Sequence, residues 1–305
     1  SIVGVFAASS NAYRRTDNAI TYVLPKLADG HLQGYPRVFG ISWALVAHTD
    51  SAFDEELLIQ FLLAYQQARE LRLCEIWSLP TTLRVVLIEN LRRLAEREAT
   101  HKAAREVANL CCDRLDSFSL EALDQLLAWL ERRGVGQAFL LQMAQRLQVR
   151  RATDHALHQE WLRHALPDLA AWQTQQGIDQ AADNLSVSNA LTSLRTIAAA
   201  EWPDIVARTN PLMQLMLTSP LFEAEDGATR DQTLHGIERL ARRGRRNEWE
   251  VGKTLLDLMQ SDPGVGQAVA SHWLTGPGSP MLVRALGLPA RVAWSWSVFS
   301  RQLAL

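Results

Sequence analysis

Apolar residues recur along most of the chain at the three- and four-residue spacing of amphipathic helices, and alternating strand-like runs are nearly absent. Residues 54–70 show the pattern well, with acidic residues in the first turn and Arg69 near the end, as the helix dipole favours. The pattern predicts an all-α fold, an array of packed antiparallel helices that resembles a bundle or a solenoid. The predicted helices cover residues 54–70, 78–96, 101–115, 119–134, 135–148, 154–176, 183–200, short segments from 203 and 211, 230–242 and 248–260.

Capping and breaking residues predict where several of these helices begin and end. Ser78 is a typical N-cap with Pro80 in the first turn, so a helix is predicted to open there. Gly177 is expected to end the helix before it, since glycine favours the left-handed turn after a helix. Residues 24–40 hold three glycines and two prolines and predict one irregular segment. No repeat of fixed period is present, so the pattern does not establish a regular solenoid.

The length of the chain, 305 residues, fits one large domain or two smaller ones. Two helical subdomains are predicted, covering residues 1–180 and 181–305. The second ends in a tail, residues 281–305, that is apolar with spaced arginines and contains Trp294 and Trp296. Such a tail is typical of a segment at a membrane surface, of one that docks on another domain, or of ordinary packing.

Charge and cysteine content exclude several classes of function. The formal net charge is -2, so the chain lacks the overall positive potential that attracts nucleic acid, and no nucleic-acid partner is predicted. Three cysteines are too few for a secreted disulfide framework and indicate a reducing compartment. No apolar run reaches the roughly 18 residues of a membrane-spanning helix. The chain opens with an apolar and then basic stretch, without methionine, and is expected to be cut from something longer.

Motifs for phosphate loops and nucleophile elbows are absent from the sequence, and so is any Asp-x-Asp pair. After Asp154, the imidazoles of His155 and His158 are spaced i and i+3, so they could share a helix face and hold a metal, although an exposed polar face is the favoured interpretation. The basic patch 242–246, which reads RRGRR, could hold phosphate or lipid headgroups. A solvated helix end is favoured there, because cations suit the C-terminal end of a helix.

Ten tryptophans are many for a chain of this length. Trp rings stack on sugars, but in helical proteins they usually fill cores or interfaces. Those at helical positions are therefore predicted to be core residues: Trp43, Trp77, Trp129 and Trp202.

Residues 79–96, LPTTLRVVLIENLRRLAE, form a helix that is apolar on nearly every side yet carries charges. Glu89 lies three and four residues before Arg92 and Arg93, a spacing that allows ion pairs. Asn90 falls on the apolar stripe, where its amide must find a buried partner. A polar clamp between helices is therefore predicted and favoured over a catalytic role, since no nucleophile or acid–base pair lies nearby in sequence.

Four stretches resemble the cyclic β-1,2-glucan synthases. WSLPTTLRVVLIENLRRLAE is similar to their E-L-W-x-x-P-x-x-L-R-x-x-L-I-E-N-L-R-R segment, and LPKLADGHLQGYPRVFGISWALVAHTDSAFD to the stretch before it. NLSVSNALTSLRTIAAAEWPDIV resembles their S-N-A-I-x-S-L-R…D-W pattern, and DGATRD their D-x-x-T-R-D. The blocks keep the family's order and cover about half of the chain. One departure is that Gln232, Thr233 and Leu234 stand where the family continues with an aromatic residue and an arginine.

The resemblance implies a helical, non-catalytic N-terminal region of a very large inner-membrane glycosyltransferase, on the cytoplasmic face. The family's enzymes polymerise glucose from UDP-glucose and close it into a ring, and a divalent metal is expected for the parent enzyme. Within this segment no catalytic, cofactor-binding or metal-ligating residue is implied. Its partners would be the glycosyltransferase module of the same polypeptide, β-1,2-glucan, and a membrane surface through residues 281–305.

Two other functions stay open from the sequence. One is an enzyme that acts on β-glucan through paired carboxylates, with Asp29, Asp50, Glu75 and Glu89 as candidates. The other is a protein-interaction scaffold that uses the tail 281–305 and makes no sugar contact. The candidate residues for interaction or sugar binding are Arg37, Trp43, His48, Asp50, Arg84, Glu89, Asn90, Asn189, Arg195 and Arg230.

Overall fold

Residues 24–148, 156–261 and 268–289 are described by the computed structural model of the chain. In these ranges there are fourteen α-helices, a 3-10 turn (Leu115–Ser117) and no strand, which confirms the predicted all-α fold. The helices are α1 (Arg37–His48), α2 (Glu55–Ala68), α3 (Leu73–Asp113), α4 (Leu120–Glu131), α5 (Gly136–Gln148), α6 (Ala156–Ala165), α7 (Leu169–Ala199), α8 (Trp202–Thr209), α9 (Pro211–Met216), α10 (Pro220–Ala224), α11 (Gly227–Gly244), α12 (Glu248–Ser261), α13 (Ala270–Leu274) and α14 (Ser279–Ala285).

The chain forms two compact units that interleave along the sequence. Of the described residues, unit 1 holds those up to Leu45, then Asp54–Thr82, and those from Ala198 onward. Unit 2 holds Val46–Phe53 and Leu83–Ile197. The predicted division into residues 1–180 and 181–305 follows chain order and stays a prediction.

Unit 1 begins with an irregular segment, and its helices pack around an apolar core. Gly30 and Gly34 have positive φ angles, and an isolated antiparallel bridge joins Lys26 to Pro36. The irregular segment, which was predicted to cover residues 24–40, therefore ends at Pro36, because α1 begins at Arg37. Helix α12 packs against α9 and α11, and α2 packs against α8. The core of this unit is apolar, with Phe222, Ile237, Leu240, Val251, Leu255 and Trp273 buried.

In unit 2 a hairpin of α4 and α5 packs together, with α6 against α5. Ser119 caps α4, since its side chain accepts a hydrogen bond from the backbone N–H of Ala122 at 3.2 Å, as the sequence predicts. The end of α3 contributes Ala108 and Cys112 to the same cluster. The buried residues of this cluster include Leu115, Leu130, Phe139, Leu140, Met143, Leu147 and Leu162.

Helix α3 begins earlier than the predicted Ser78 cap, at Leu73, and contains Pro80 in its interior. Ser78 does not act as an N-cap, because its hydroxyl donates to the carbonyl oxygen of Glu75 at 2.7 Å. Carboxylates take up the first free backbone N–H groups instead. Glu75 accepts from Arg72 N–H and Glu248 from Leu73 N–H, both at 3.0 Å.

The break predicted between residues 96 and 101 does not exist, since α3 runs unbroken to Asp113. No glycine or proline separates the two predicted helices, and the polar stretch is rich in good helix formers. Ion pairs also line it, from Arg92 to Glu96 and from Arg97 to Asp183.

Gly177 does not end a helix, because α7 passes through it. The interruption falls earlier, at Pro167, where the side chain of Asp168 then accepts from the backbone N–H of Ala171 at 3.0 Å. Proline stops a helix through its missing N–H, whereas an interior glycine only weakens one.

Replacing Gly177 by alanine is expected to raise the free energy of unfolding by about 0.5–1 kcal/mol. A Cβ added at Gly177 meets no atom within 4 Å, so alanine causes no clash in the folded state. It also lowers the conformational entropy of the unfolded chain, which favours folding. Urea unfolding measures the gain. Gly30→Ala serves as the control, because its φ of 80° makes alanine strained, and this variant should lose stability. Equal effects at both positions would contradict the explanation.

The four tryptophans that were predicted to be core residues differ in how far they are buried. Trp202 is buried, and Trp43 and Trp77 are half-buried. The prediction is wrong for Trp129, which is 46% exposed and carries the Arg133 guanidinium 3.6 Å from its ring centroid. Trp294 and Trp296 lie outside the described residues, as do residues 1–23 and most of the tail 281–305.

Candidate functional site

The turn after α1, residues 49–53, is held in an unusual backbone conformation. Asp50 and Ser51 have φ angles of 47° and 68°, in the left-handed region that L-residues other than glycine seldom occupy. Such residues cost about 1–3 kcal/mol each and persist where their surroundings hold them. We call residues 49–53 the clamped turn.

Side chains from two helices of unit 2 hold the clamped turn. Asn90 of α3 donates to the Ser51 hydroxyl at 2.8 Å, and Asn189 of α7 donates to the Asp50 carbonyl at 3.1 Å. The Ser193 hydroxyl donates to the Ser51 carbonyl and accepts from the Phe53 N–H, both at 2.7 Å. The Asn90 amide, which the sequence placed on an apolar stripe, therefore has a partner. The clamp was predicted between helices, but these hydrogen bonds join helices α3 and α7 to the turn.

Replacing Ser193 by alanine is expected to lower the free energy of unfolding by about 1–2 kcal/mol, because the Phe53 N–H and the Ser51 carbonyl lose their shared partner. Ser193 is 2% exposed, so water cannot replace the hydroxyl. Amide hydrogen exchange at Phe53 should also accelerate. Thr192→Ala, at the exposed neighbouring position, is the control and should change neither quantity. Unchanged exchange at Phe53 in the Ser193 variant would contradict the clamp.

Glu89 is buried beside this region and forms a two-pronged ion pair along its own helix. Arg92 donates to both of its oxygens, at 2.7 and 2.8 Å, and also pairs with Glu96. These hydrogen bonds from Arg92 lower the pKa of Glu89. The carboxylate is thus fixed in its ionised form by an arginine of the same helix.

Arg37 of α1 forms a buried ion pair with Glu75 of α3. Its Nε donates to one Glu75 oxygen at 2.9 Å and its Nη2 to the other, while Nη2 also donates to the Glu70 carbonyl at 3.0 Å. Arg37 is 7% exposed and Glu75 is fully buried. The pair joins the irregular N-terminal segment of unit 1 to the start of α3.

The DGATRD motif forms the start of α11. Asp226 is the N-cap, with its carboxylate accepting from the N–H of Thr229 at 3.0 Å and from its hydroxyl at 2.8 Å. These bonds lower the pKa of Asp226. Arg230 donates to the carbonyl oxygens of Glu225 and Glu223, at 2.9 and 2.8 Å. The motif therefore fixes the loop that precedes the helix.

Four more residues were predicted for interaction with a ligand, namely Trp43, His48, Arg84 and Arg195. Trp43 packs against Phe39 with ring centroids 6.0 Å apart. His48 is exposed at the end of α1, Arg84 is half-buried and Arg195 is exposed. The structure thus brings Asp50, Asn90 and Asn189 together and does not gather the whole predicted set into one pocket.

A cavity of about 450 Å³ in unit 1 lies at the start of α3. The sequence did not predict it, because its lining residues are far apart along the chain. Its polar wall comes from three regions: the residues before α3, helix α11, and the turn between α11 and α12. We call it the arginine cavity, after the four arginines that line it: Arg72, Arg242, Arg245 and Arg246. The basic patch 242–246, which supplies three of these arginines, is visible in the sequence. There it was interpreted as a solvated helix end.

The floor of the arginine cavity is acidic. Glu238 is 6% exposed, and Glu248 and Cys74 are half-buried. Burial raises the pKa of Glu248 to about 7, with nearby Glu238 adding to the rise and the bond from Leu73 N–H opposing it. Burial also raises the pKa of the Cys74 thiol, which therefore stays protonated and unreactive. A carboxyl that titrates near neutrality in a concave pocket is a common feature of ligand sites.

The described ranges contain neither a metal-binding cluster nor a helix that could span a membrane. Residues 24–148, 156–261 and 268–289 contain no group of three His, Cys, Asp or Glu side chains placed to hold a metal ion. His158 approaches the carbonyl oxygen of Phe118 at 3.3 Å, and Asp154 and His155 lie outside these ranges. No helix in them is long and apolar enough to cross a membrane.

Comparison with known proteins finds one similarity that spans most of the chain. The cyclic beta-(1,2)-glucan synthase NdvB of Rhizobium meliloti (strain 1021) is 27% identical over 270 residues, covering 87% of this chain. The match covers 10% of that protein, so the chain spans about a tenth of its length. No protein-family model matches the chain. The similarity confirms the resemblance to cyclic β-1,2-glucan synthases that the sequence motifs indicate.

Proposed function

We propose that this chain is an accessory helical region of a cyclic β-1,2-glucan synthase, with glucan polymerisation and cyclisation carried out by other modules of a longer protein. The observation that carries the proposal is the similarity to the Rhizobium synthase, which extends over 87% of this chain and a tenth of that protein. A segment of that size supports a role in holding or docking other modules.

The positions of the family-like residues support this role. Asn90, Asn189 and Ser193 fix the clamped turn, Arg37 and Glu75 pair in the interior, and the DGATRD motif caps a helix. Side chains engaged in such contacts hold parts of the chain together and shape its fold. The resemblance in these blocks is therefore accounted for by fold maintenance.

In this proposal the parent protein uses UDP-glucose and a divalent metal in a separate glycosyltransferase module. That module is the partner of this region, at the cytoplasmic face of the bacterial inner membrane. Growing β-1,2-glucan is a second partner, and the tail 281–305 contacts the membrane surface. Of that tail, residues 281–289 are described, and Met281 is 57% exposed in α14.

The carboxylate-enzyme alternative finds little support in the local geometry. Glu75 and Glu89 are buried and held by Arg37 and Arg92, whereas a general acid or nucleophile must face a cleft that admits the sugar. Asp29 and Asp50 are exposed. An interaction scaffold without sugar contact stays as the alternative that the experiments below distinguish.

The first experiment gives the purified chain UDP-glucose and measures glucan formation and UDP release. No transfer is expected, and transfer by the isolated chain would overturn the accessory role. Calorimetric titration with linear β-1,2-glucooligosaccharides then separates two forms of that role. Binding of the oligosaccharides would identify a region that holds the glucan acceptor. Absence of binding would identify a docking or scaffold region.

The second experiment deletes the matching 270 residues from the Rhizobium synthase and measures cyclic glucan in membranes from the cells. Loss of cyclic glucan, with the truncated protein still present in the membrane, is the expected result. An unchanged yield of cyclic glucan would show that this region supports neither polymerisation nor cyclisation.

A further inference from the structure

The arginine cavity of unit 1 is arranged in two zones of opposite character. Arg72, Arg242, Arg245 and Arg246 are exposed and form its rim. The carboxylates of Glu238 and Glu248 form its deeper part. A ligand that fits both zones must offer negative charge at the rim and hydrogen-bond donors to the floor.

Guanidinium groups at the rim suit a phosphate. Each presents a planar fork of donors that matches two phosphate oxygens, and these charge-assisted bonds are about twice as strong as neutral ones. Four arginines outnumber the three glutamates, Glu70, Glu238 and Glu248, that line the same cavity. The backbone at the rim is also fixed, because Arg245 is the left-handed cap of α11 and Arg246 donates to the Leu286 carbonyl at 3.2 Å.

Carboxylates at the floor suit hydroxyl groups. A carboxylate offers about four acceptor positions, so the bond from Leu73 N–H to one Glu248 oxygen at 3.0 Å leaves capacity for others. Vicinal hydroxyls of a sugar or of glycerol supply matching donors. The volume of about 450 Å³ lies within the range of small-ligand pockets and leaves room for a polyol beside a phosphate.

We propose that the arginine cavity binds a polyol phosphate, with the phosphate at the arginine rim and the hydroxyl groups at the glutamate floor. The shared chemistry has two sources, a free sugar phosphate and a phospholipid with a polyol headgroup. The site is built from the geometry of unit 1 and does not rest on the proposed accessory role.

Protonation of Glu248 adds a pH dependence to this site. The charged and titratable groups that act on Glu248 include Arg72, Cys74, Glu75 and Glu238, and the charged residues Glu70, Arg242, Arg245 and Arg246 line the same cavity. As pH rises through about 7, Glu248 gains negative charge, and affinity for an anion should fall. Sulfate is the suitable anion for measuring this pH dependence, because its own charge does not change near pH 7.

The test is titration calorimetry of the 305-residue chain with glucose 1-phosphate, inorganic phosphate and glucose. Glucose 1-phosphate should bind most tightly, inorganic phosphate more weakly, and glucose least. Arg245→Ala should weaken binding of glucose 1-phosphate by about tenfold, the usual worth of one charge-assisted contact. Arg243→Ala is the matched control, since Arg243 lies in the same basic patch but does not line the cavity. Glu248→Gln should remove the pH dependence of sulfate binding.

Vesicles distinguish the two sources of the ligand. If Arg245-dependent binding to phosphatidylglycerol vesicles exceeds binding to phosphatidylcholine vesicles, the ligand is a lipid headgroup; if only glucose 1-phosphate binds, it is a free sugar phosphate. Absence of binding to every probe, or equal loss in the Arg243 and Arg245 variants, would overturn the proposal. Either result leaves the glucan-synthesis experiments unaffected, so the two proposals fail separately.

Discussion

Replacing Arg37 by methionine is expected to lower the free energy of unfolding by about 3–5 kcal/mol, the usual cost of removing one partner of a buried ion pair. Glu75 is fully buried, and its remaining hydrogen bond, from Arg72 N–H at 3.0 Å, does not neutralise its charge. Methionine keeps most of the volume of the arginine stem, so the loss reports chiefly the uncompensated carboxylate. Urea unfolding followed by circular dichroism measures it.

Two further variants separate charge from packing. In the Arg37→Met, Glu75→Gln double variant no charge is left unpaired, and the amide oxygen can still accept from Arg72 N–H, so more than half of the lost stability should return. Arg208→Met breaks the exposed pair with Glu56, 2.6 Å apart, and should lower the free energy of unfolding far less than Arg37→Met does, because solvent screens an exposed ion pair. A double variant as unstable as Arg37→Met would show that packing, and not charge, determines the loss.

Local signals in the sequence predicted much of the fold. Helix periodicity identified α2, α4, α5 and α12 nearly to the residue, because each is amphipathic and bounded by a cap or a breaker. The start of α3 was missed for a physical reason. Its first N–H groups bond to Glu75 and to Glu248, and Glu248 lies 175 residues further along the chain. A cap supplied from so far away leaves no local pattern.

The clamped turn shows how much of a polar cluster sequence can indicate. The position of Asn90 on an apolar stripe indicated a buried amide that needs a partner, and the partner exists. The identity of that partner was not predictable, because Ser51 becomes available only in a left-handed conformation that glycine-free sequence does not suggest. Ser193 was likewise part of a matched motif whose role appeared only in three dimensions.

The arginine cavity was missed because its parts are far apart in sequence. The basic patch 242–246 was noticed alone, and alone it suits a solvated helix end. The structure sets it beside Arg72, Cys74 and Glu238. Burial of Glu248, which raises its pKa, depends on tertiary packing and has no counterpart in local sequence.

Replacing Glu248 by glutamine is expected to raise stability at pH 8 by roughly 2–3 kcal/mol relative to the native chain. The folded pKa of Glu248 is raised from 4.5 to about 7, so the folded state binds more protons than the unfolded state between these values. This group therefore favours the folded state fully below about pH 4.5, and the contribution is lost as pH rises through about 7. Glutamine cannot ionise, and its amide oxygen can still accept from Leu73 N–H.

Urea unfolding at pH 5, 6, 7 and 8 checks this linkage by comparing the variant with the native chain at each pH. The difference in the free energy of unfolding should grow in favour of glutamine from pH 5 to pH 8. Glu250→Gln, at an exposed position in the first turn of the same helix, is the matched control and should give a difference independent of pH. Parallel stability curves for Glu248→Gln and the native chain would mean that the carboxyl is solvated in the folded state. The floor of the arginine cavity would then be charged at neutral pH, and its affinity for an anion would be weaker and insensitive to pH near 7.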